Sequence, residues 1–360
     1  MPHPPCVSSA RDLDPCLKPV RTGAQTEAAS ILPVRIAGTG HALPAKSVTS
    51  ETLDLQLGFP AGHLQKLSGV SSRFVAAEES QIDLAVAACQ AALEKAGQTP
   101  RDVDLVLGAC GIPYQTLPAT APLVMQRLGF ADGTAAAYDV NATCLSFLTA
   151  FELAANKLAL GQATSVLVFA ADIASRALPW EDQPDVAALF GDGAAAAVLT
   201  TGGDDGPGIA ASLLRTYPSA YAACEIGAGG TRFDFHKDRE AFARHAVFHM
   251  DGKDLFRVTH KHFPQFVDQL LSKAGWARQD IDLVVPHQAS PLALEHMIRE
   301  TGMERSRVVD IGCTHGNQIA ASLPTALDIA WRQGRIEPGM RVLLLGTSAG
   351  VTFCGMALEV

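Results

Sequence analysis

Three residues of types that cooperate in nucleophilic catalysis lie where apolar segments of the sequence end: Cys144, His287 and Asn317. A cysteine thiolate is a strong nucleophile, and the base or orienting residue that it needs can be distant in sequence yet adjacent in the fold. The three residues are therefore the candidate site. The predicted chemistry is attack by the Cys144 sulfur on an electrophilic substrate.

Cys144 is predicted to lie between a buried strand that ends at Val140 and the start of a helix. Apolar residues recur after it at helical spacing: Phe147, Ala150, Phe151, Ala154 and Leu158. In the first turn of a helix, free N–H groups and the positive end of the macrodipole favour a thiolate. From this position alone, an inert core cysteine is the alternative interpretation.

His287 follows the apolar segment 281–286, and Asn317 follows a glycine at the start of another helical segment. In open α/β sheets, ligands bind in the crevice beyond the carboxyl ends of the strands, where all three candidates are expected. Each residue alone also fits a structural role, His287 as a helix cap and Asn317 as a turn or cap residue.

The composition limits the classes of protein to which the chain can belong. Its 360 residues are 48% hydrophobic and 18% charged, which indicates a well-buried globule of one large or two ordinary domains. The net charge of −9 argues against general nucleic-acid binding. Apolar runs are too short to span a bilayer, so no membrane association is predicted. Residues 1–32 lack the apolar core of a signal peptide and are predicted to be a loosely ordered extension.

Cysteine and histidine spacing predicts neither disulfides nor a metal site. The eight cysteines show no C-x-x-C pairing, which favours a reducing cytoplasm as the location. The histidine pairs at 245 and 249 and at 260 and 262 lack a carboxylate or cysteine at a spacing that completes a ligand set. We therefore interpret these histidines as surface or helix residues.

An internal repeat predicts the architecture. The segment LEKAGQTPRDVDLV (93–106) recurs as LSKAGWARQDIDLV (271–284), with eight of fourteen positions identical and an offset of 275 − 97 = 178 residues. Each copy reads as the end of a helix, a glycine stop, a polar turn and an apolar strand. The chain is therefore predicted to contain two similar α/β halves, 33–203 and 204–360.

Strands that are apolar on both faces and alternate with helices imply sheets covered on both sides. Two such sheets with central helices between them form five layers, α-β-α-β-α. The predicted helices are near 80–96, 119–129, 144–160, 252–274, 291–302 and 317–334. The predicted buried strands include 103–109, 136–141, 165–171, 193–200, 281–286, 306–311, 341–346 and 351–359.

Five motifs in order carry a resemblance to a known family: DVNATCLSF, FGDGAAAAVL, PHQAS, HGNQIAASLP and GTSAGVTFCGMAL. With them the chain resembles the thiolase-fold condensing enzymes, and most closely the β-ketoacyl-acyl-carrier-protein synthase III family, over residues 35–360. The resemblance implies a thiolase-like fold and a catalytic triad of Cys144, His287 and Asn317.

The resemblance also implies a ping-pong reaction without a cofactor. Cys144 takes an acyl group from an acyl-CoA or acyl-carrier thioester, and a malonyl thioester then enters. Neutral His287 and Asn317 donate hydrogen bonds to the enolate that forms as CO2 leaves, and the backbone N–H groups of Cys144 and Ala349 form the oxyanion hole. The implied partners are an acyl carrier protein and a second copy of the chain.

The sequence departs from the family pattern where CoA is recognised. His63 and Leu67 stand where the family places a tryptophan and an arginine around the adenine, and Pro184 stands near a second arginine position. Leu292 replaces a basic residue after the histidine motif. Two basic residues remain as candidates for docking an acidic carrier protein, Arg257 and Arg299.

Leu117, in the loop 114–122, occupies the position that carries a glutamate in relatives that join two fatty acyl chains in olefin biosynthesis. Its identity argues against that base-driven reaction. By the resemblance, this loop crosses a dimer interface and bounds the acyl pocket, where leucine leaves room for primers longer than acetyl.

Two other functions are compatible with these residues. An acyltransferase of secondary metabolism uses the same acyl-cysteine without decarboxylation. A non-catalytic partner subunit keeps the fold alone, although it has no chemical need for Cys144, His287 and Asn317 together.

Overall fold

A computed structural model describes residues 31–203 and 206–360. The predicted extension 1–32 therefore lies outside the described residues except for its last two positions. The strands are β1 (Leu32–Pro33), β2 (Arg35–Ala42), β3 (Ser47–Thr49), β4 (Ser72–Phe74), β5 (Leu105–Gly108), β6 (Ala136–Asp139), β7 (Ser165–Asp172), β8 (Gly193–Thr200), β9 (Gly208–Thr216), β10 (Cys224–Glu225), β11 (His249–Met250), β12 (Leu283–Pro286), β13 (Arg341–Ser348) and β14 (Thr352–Glu359). The α-helices are α1 (Ser50–Leu57), α2 (His63–Ser68), α3 (Gln81–Ala96), α4 (Thr120–Arg127), α5 (Ser146–Ala159), α6 (Pro184–Ala187), α7 (Arg239–His245), α8 (Gly252–Ala274), α9 (Pro291–Thr301), α10 (Gly312–His315) and α11 (Ser322–Arg332).

Two five-stranded mixed sheets form the body of the molecule. The first has the order β2-β8-β7-β5-β6, and the second has the order β1-β9-β14-β13-β12. In each sheet a short strand lies parallel to a long interior one, β5 to β7 and β12 to β13. That interior strand then pairs antiparallel with the strand that follows it, β7 with β8 and β13 with β14. This shared pattern agrees with the internal repeat.

Alternation along the strands creates the predicted layers. On β7, Val166 and Val168 face the apolar cluster that contains α5 and α11, while Leu167 and Phe169 face the cluster that contains α3 and α4. On β13 the residues alternate in the same way between the central cluster and the cluster of α8 and α9. Because successive side chains of a strand point to opposite faces, each sheet is covered on both sides. The predicted five-layered thiolase-like fold is confirmed.

The helix ends in the repeat follow local chemistry. Gly97 and Gly275 end α3 and α8 with φ of 64° and 68°, a left-handed conformation that glycine adopts without a Cβ penalty. Ser80 begins α3 with a capping box closed by Asp83. The glycine stops predicted from the repeat are thus confirmed. No α-helix in the described part of the chain has the length and apolarity needed to cross a membrane.

The predicted strand 306–311 is wrong. The structure has a short 3-10 turn at Arg305–Arg307 and a single isolated bridge between Val308 and Val284. Farther along, the backbone N–H groups of Ile311 and Gly312 both donate to Oε1 of Gln288, each at 3.0 Å. These donors are used by a side chain, so a strand ladder cannot extend through this apolar segment.

Candidate active site

The turn that carries Cys144 is built by hydrogen bonds from its own side chains. Cys144 lies in a 3-10 turn, Thr143–Leu145, that leads directly into α5. Asn141 Oδ1 accepts the Thr143 N–H at 2.9 Å. Ser146 Oγ accepts the Ala142 N–H at 2.9 Å and donates to the Thr143 carbonyl at 2.7 Å. These bonds hold Thr143 at φ of 54°, which is unusual for a residue other than glycine.

The same turn recurs before α11. Asn317 Oδ1 accepts the Ile319 N–H at 2.8 Å, and Ser322 Oγ accepts the Gln318 N–H at 2.7 Å. Ile319 has φ of 53°. The offset between the two asparagines is 317 − 141 = 176 residues, and the serines have the same offset, 322 − 146 = 176. Ala320 is consequently the counterpart of Cys144, and the two central helices begin with one repeated device.

His287 immediately follows β12 and is buried, with 7% of its surface exposed. Its N–H donates to the Leu345 carbonyl of β13 at 2.8 Å. Burial lowers the pKa of His287 to about 4, so the imidazole is neutral at pH 7. Within the described chain its Nδ1 has no hydrogen-bond partner. A neutral imidazole offers one N–H donor and one acceptor to a substrate.

Asn317 is tied both to its own turn and to the loop that follows His287. Its Nδ2 donates to the Ala289 carbonyl at 3.2 Å, and the Ala289 N–H in turn donates to the His287 carbonyl at 3.0 Å. The structural role expected for Asn317 is therefore present. An amide nitrogen carries two hydrogens, so one N–H remains for a substrate oxygen.

The motif at 190–193 holds the backbone of this asparagine. The Asn317 N–H donates to the Leu189 carbonyl at 2.8 Å, and the Gly191 N–H donates to the Asn317 carbonyl at 3.1 Å. Gln318 Nε2 donates to the Asp192 carbonyl at 3.0 Å. The glycine-rich turn thus supports the site without contributing a reactive side chain.

Gly346 of β13 lies where the nucleophile turn and the histidine meet. A Cβ at this position would be 2.8 Å from Cδ2 of Leu145 and 2.9 Å from Cβ of His287. Such distances are too short for real contacts, so only glycine at this position leaves room for both Leu145 and His287 against β13. With the link between Asn317 and the loop after His287, the segments that carry the three candidate residues meet between the two sheets.

The resting state of Cys144 differs from the sequence-based expectation. Burial raises the pKa of the Cys144 thiol, and the negative charge of Asp172 raises it further. The helix start favours a thiolate, but desolvation of the sulfur opposes it and dominates. The thiol is therefore protonated before substrate binds, and a neighbouring acceptor must take its proton during attack.

Comparisons with known proteins agree with this geometry. The sequence profile described as 3-oxoacyl-acyl-carrier-protein synthase III matches residues 138–218, and the profile of its C-terminal part matches residues 271–360. The chain is 37% identical over 324 residues to β-ketoacyl-acyl-carrier-protein synthase III of Erythrobacter litoralis, covering 88% of this chain and 96% of that one. The chain belongs to the synthase III family.

Solved structures show the same relationship. The synthase III of Pseudomonas aeruginosa is similar with a TM-score of 0.81 at 30% identity, covering 91% of this chain and 98% of that chain. Xanthomonas campestris OleA is similar with a TM-score of 0.80, covering 91% of this chain and 98% of its own. Its identity of 23% shows a shared fold alone.

The structure places the remaining residues predicted from the synthase III resemblance in loops and on outer helices. Ala349 is in the tight turn between β13 and β14, where its carbonyl accepts a hydrogen bond from Ser348 Oγ at 3.1 Å. Leu117 lies in the loop between β5 and α4 and is 84% exposed in the single chain. Their assignments to the oxyanion hole and the acyl pocket stay predictions.

The two docking candidates of this synthase III chain lie on the outer helices and already have partners. Arg257 of α8 pairs with Asp254 at 3.0 Å. Arg299 of α9 contacts Nδ1 of His296 at 2.8 Å and Oε1 of Glu300 at 3.4 Å. Both guanidinium groups are largely exposed, so another carboxylate can compete for them.

Sequence spacing missed one cluster of potential metal ligands. His260 of α8 meets His296 and Glu300 of α9, and one ligand atom from each lies within 4.8 Å of the others. No further ligand of this cluster stands near His260 in the sequence. The other two ligands come from α9, which packs against α8. The guanidinium of Arg299 lies at His296 Nδ1, so a cation already occupies part of this cluster.

Sequence reasoning also missed Asp172, the last residue of β7. It is fully buried, and burial raises its pKa to about 7 while backbone N–H groups act in the opposite direction. The signal lay in the repeat: Asp172 ends TSVLVFAAD where its counterpart Ser348 ends MRVLLLGTS. Only one of these two equivalent positions carries an ionisable residue. The two halves therefore differ in role at this position.

Proposed function

We propose that the chain catalyses decarboxylative condensation of an acyl primer with a malonyl thioester, as a β-ketoacyl-acyl-carrier-protein synthase III. The observation that supports it most directly is the convergence of Cys144, His287 and Asn317 between the two sheets, with a histidine that burial keeps neutral. A neutral donor pair suits a reaction whose negative charge develops on a thioester oxygen.

The first half-reaction acylates the cysteine. The Cys144 sulfur attacks the primer carbonyl, a carbon–sulfur bond forms, and the thiol proton passes to the neutral imidazole of His287. Collapse of the tetrahedral intermediate breaks the bond to the CoA or carrier thiol, which leaves with that proton. The backbone N–H groups of Cys144 and Ala349 would hold the intermediate's oxygen.

The second half-reaction generates and uses an enolate. The carbon–carbon bond of the malonyl group breaks, CO2 leaves, and the electron pair moves toward the thioester oxygen. Hydrogen bonds from His287 and Asn317 stabilise that oxygen, each by roughly 3–4 kcal/mol in a preorganised site. The enolate carbon then attacks the acyl-Cys144 carbonyl, and the cysteine leaves as a thiolate that is reprotonated.

The substrates proposed are an acyl-CoA or acyl-carrier primer and a malonyl thioester on an acyl carrier protein. The exposed Arg257 and Arg299 provide positive charge for an acidic carrier, whereas the net charge of −9 repels one elsewhere. Leu117 would bound the acyl pocket of the partner in a homodimer, because in one chain it faces solvent. The six cysteines of the described residues are free, in keeping with a cytoplasmic enzyme.

Intact-protein mass spectrometry tests the proposal. Wild type and Cys144→Ala are incubated with CoA and carrier thioesters from acetyl to dodecanoyl. We expect a mass gain of one acyl group that disappears in the variant, followed by CO2 release from added malonyl carrier. Acylation without CO2 release would instead support simple acyl transfer. No adduct from any thioester would support the non-catalytic subunit.

A further inference from the structure

Asp172 joins the two halves of the molecule at the active site. Its carboxylate accepts three backbone N–H groups: Gly111 at 3.2 Å, Ile112 at 2.8 Å and Ala320 at 3.0 Å. The first two belong to the loop after β5 in the first half. Ala320 belongs to the second half and is the counterpart of Cys144 in the repeated turn. One side chain therefore bonds a loop of the first half to a turn of the second half.

The junction around this carboxylate is closely packed. A Cβ at Gly111 would lie 2.3 Å from Cγ2 of Ile319, 3.4 Å from the Thr143 carbonyl and 3.5 Å from Oδ1 of Asp172. Thr143 precedes the nucleophile, and Ile319 follows Asn317 by two residues. The absence of a side chain at Gly111 lets both turns meet against the aspartate. A displacement here would move Cys144 relative to Asn317.

The charge of Asp172 also acts on the nucleophile. Burial is the larger cause of the raised pKa of both Cys144 and Cys110, and the charge of Asp172 raises both further, with a smaller effect of Asp139 on Cys110. A buried carboxylate is costly, and three N–H donors offset part of that cost here. An asparagine in the same place would keep one acceptor oxygen and turn its NH2 group toward the remaining N–H donors.

We propose that Asp172 is a positioning residue for the condensation, holding the Cys144 turn and the Asn317 turn in register across the two halves. This inference rests on the proposed function, because the condensation is the reaction that Asp172 would assist. Its first readout, alkylation of Cys144, requires only that the thiol is where the structure places it. Failure of this inference is therefore distinguishable from failure of the proposed function.

The experiment compares Asp172→Asn with Asp192→Asn. Asp192 is a matched control because it is also fully buried and accepts the N–H groups of Ala76 and Ser175, at 2.8 and 2.9 Å. Alkylation of Cys144 by iodoacetamide is followed against pH by peptide mass spectrometry. Condensation is followed as kcat and KM with the primer that acylates the wild type.

For Asp172→Asn we expect the alkylation midpoint to move to lower pH, since loss of a negative charge favours the thiolate. We also expect kcat to fall by about ten- to a hundred-fold with KM changed less than about three-fold, the signature of misplaced reacting groups. Asp192→Asn should lower thermal stability and leave the midpoint unchanged. If Asp172 had only a structural role, Asp172→Asn would behave like Asp192→Asn and lose thermal stability without a shift in the alkylation midpoint.

A folded Asp172→Asn enzyme with a wild-type midpoint and kcat within about two-fold would overturn the inference. If this variant does not fold, Asp172→Glu keeps the charge, so its midpoint should stay at the wild-type value while kcat falls. If neither folds, hydrogen exchange of the wild type decides. Protection of the Gly111, Ile112 and Ala320 amides equal to that of β7 supports the inference, and rapid exchange at these amides rejects it.

Discussion

Burial moves both ionisable members of the proposed triad toward their uncharged forms. It lowers the pKa of His287 to about 4 and raises that of Cys144. In the proposed triad the resting pair would therefore be a protonated thiol and a neutral imidazole, with charge separating only while substrate is attacked. This differs from a preformed thiolate–imidazolium pair, in which the cysteine is reactive toward any electrophile. A protonated thiol confines reactivity to bound substrates.

Asn317 can be tested for a role beyond its turn. Asn317→Asp keeps the Oδ1 that accepts the Ile319 N–H but removes the Nδ2 donor. Because the new oxygen also replaces the donor to the Ala289 carbonyl, we expect acylation of Cys144 to slow, but CO2 release to fall far more, by about a hundred-fold or more, since one enolate donor is missing. Mass spectrometry measures the first step and CO2 trapping the second. Equal loss of both steps would mean that the residue acts only through the fold.

His287 predicts a pH dependence of stability. Its folded pKa lies below the ordinary value of 6.5, so between pH 6.5 and 4 the unfolded chain binds more protons than the folded one. The contribution of neutral His287 to the free energy of unfolding is therefore fully present above pH 6.5. It declines as the pH falls, by up to about 1.4 kcal/mol per pH unit. Urea unfolding of wild type and His287→Asn measures it. The variant should show the shallower slope, and parallel slopes would contradict the assigned burial.

At the scale of elements, the two repeated turns are the devices that position the chemistry. Each uses an asparagine to accept an N–H two residues later and a serine to accept another at the helix start. The positive φ of Thr143 and Ile319 follows from these bonds. In one copy the turn presents a cysteine sulfur, and in the other it presents the asparagine that begins the turn.

The paired serines give a matched test of this device. Ser146→Ala and Ser322→Ala each leave a backbone N–H without its acceptor at a buried site. We expect each to lower the free energy of unfolding by about 1–3 kcal/mol. Ser146→Ala should in addition slow acylation more than Ser322→Ala, since its turn carries Cys144. Urea denaturation and the acyl-enzyme rate measure the two effects, and unchanged stability in either variant would contradict the hydrogen-bond assignment.

Many of the helices and their ends could be predicted from the sequence, because the signals for them lie within short segments. Apolar periodicity predicted the central helices, and the glycine stops of the repeat ended α3 and α8 as expected. Residues 306–311 were mispredicted because the segment begins in a 3-10 turn and its last residue, Ile311, donates its N–H to the Gln288 side chain, so only one isolated bridge forms between them. Hydrogen bonding between distant segments is not visible in periodicity.

The site was predictable to a similar extent. Motif resemblance pointed to Cys144, His287 and Asn317, and the structure brings together the segments that carry them, while their catalytic roles stay predictions. Asp172 and the cluster at His296 were not found, because their meaning depends on which helices and turns pack together. The raised pKa of Cys144 was also hidden, since depth of burial opposes the helix-start effect that sequence position suggests.

At the scale of the whole molecule, docking of a carrier protein would depend on a sparse set of charges. For Arg257→Glu and Arg299→Glu we expect KM for carrier-borne malonyl to rise about ten-fold and acylation from acyl-CoA to change little. Arg101→Glu, in the 3-10 turn Pro100–Asp102, is the matched surface control. Steady-state kinetics at two salt concentrations measure KM for the carrier-borne substrate and its dependence on charge. Equal effects of all three variants would place the docking surface elsewhere.

The earliest described strand, β1, pairs not with its neighbours in sequence but with β9 of the second sheet, where Leu32 lies opposite Ile209. A fragment that begins at β9 would lack this pairing and leave the backbone groups of Gly208 and Ile209 open at the strand edge. Open strand edges are templates for intermolecular pairing and aggregation. Two residues near the front of the chain therefore protect the start of an edge strand in its second half, and a truncation that removes them should aggregate more readily than the full chain.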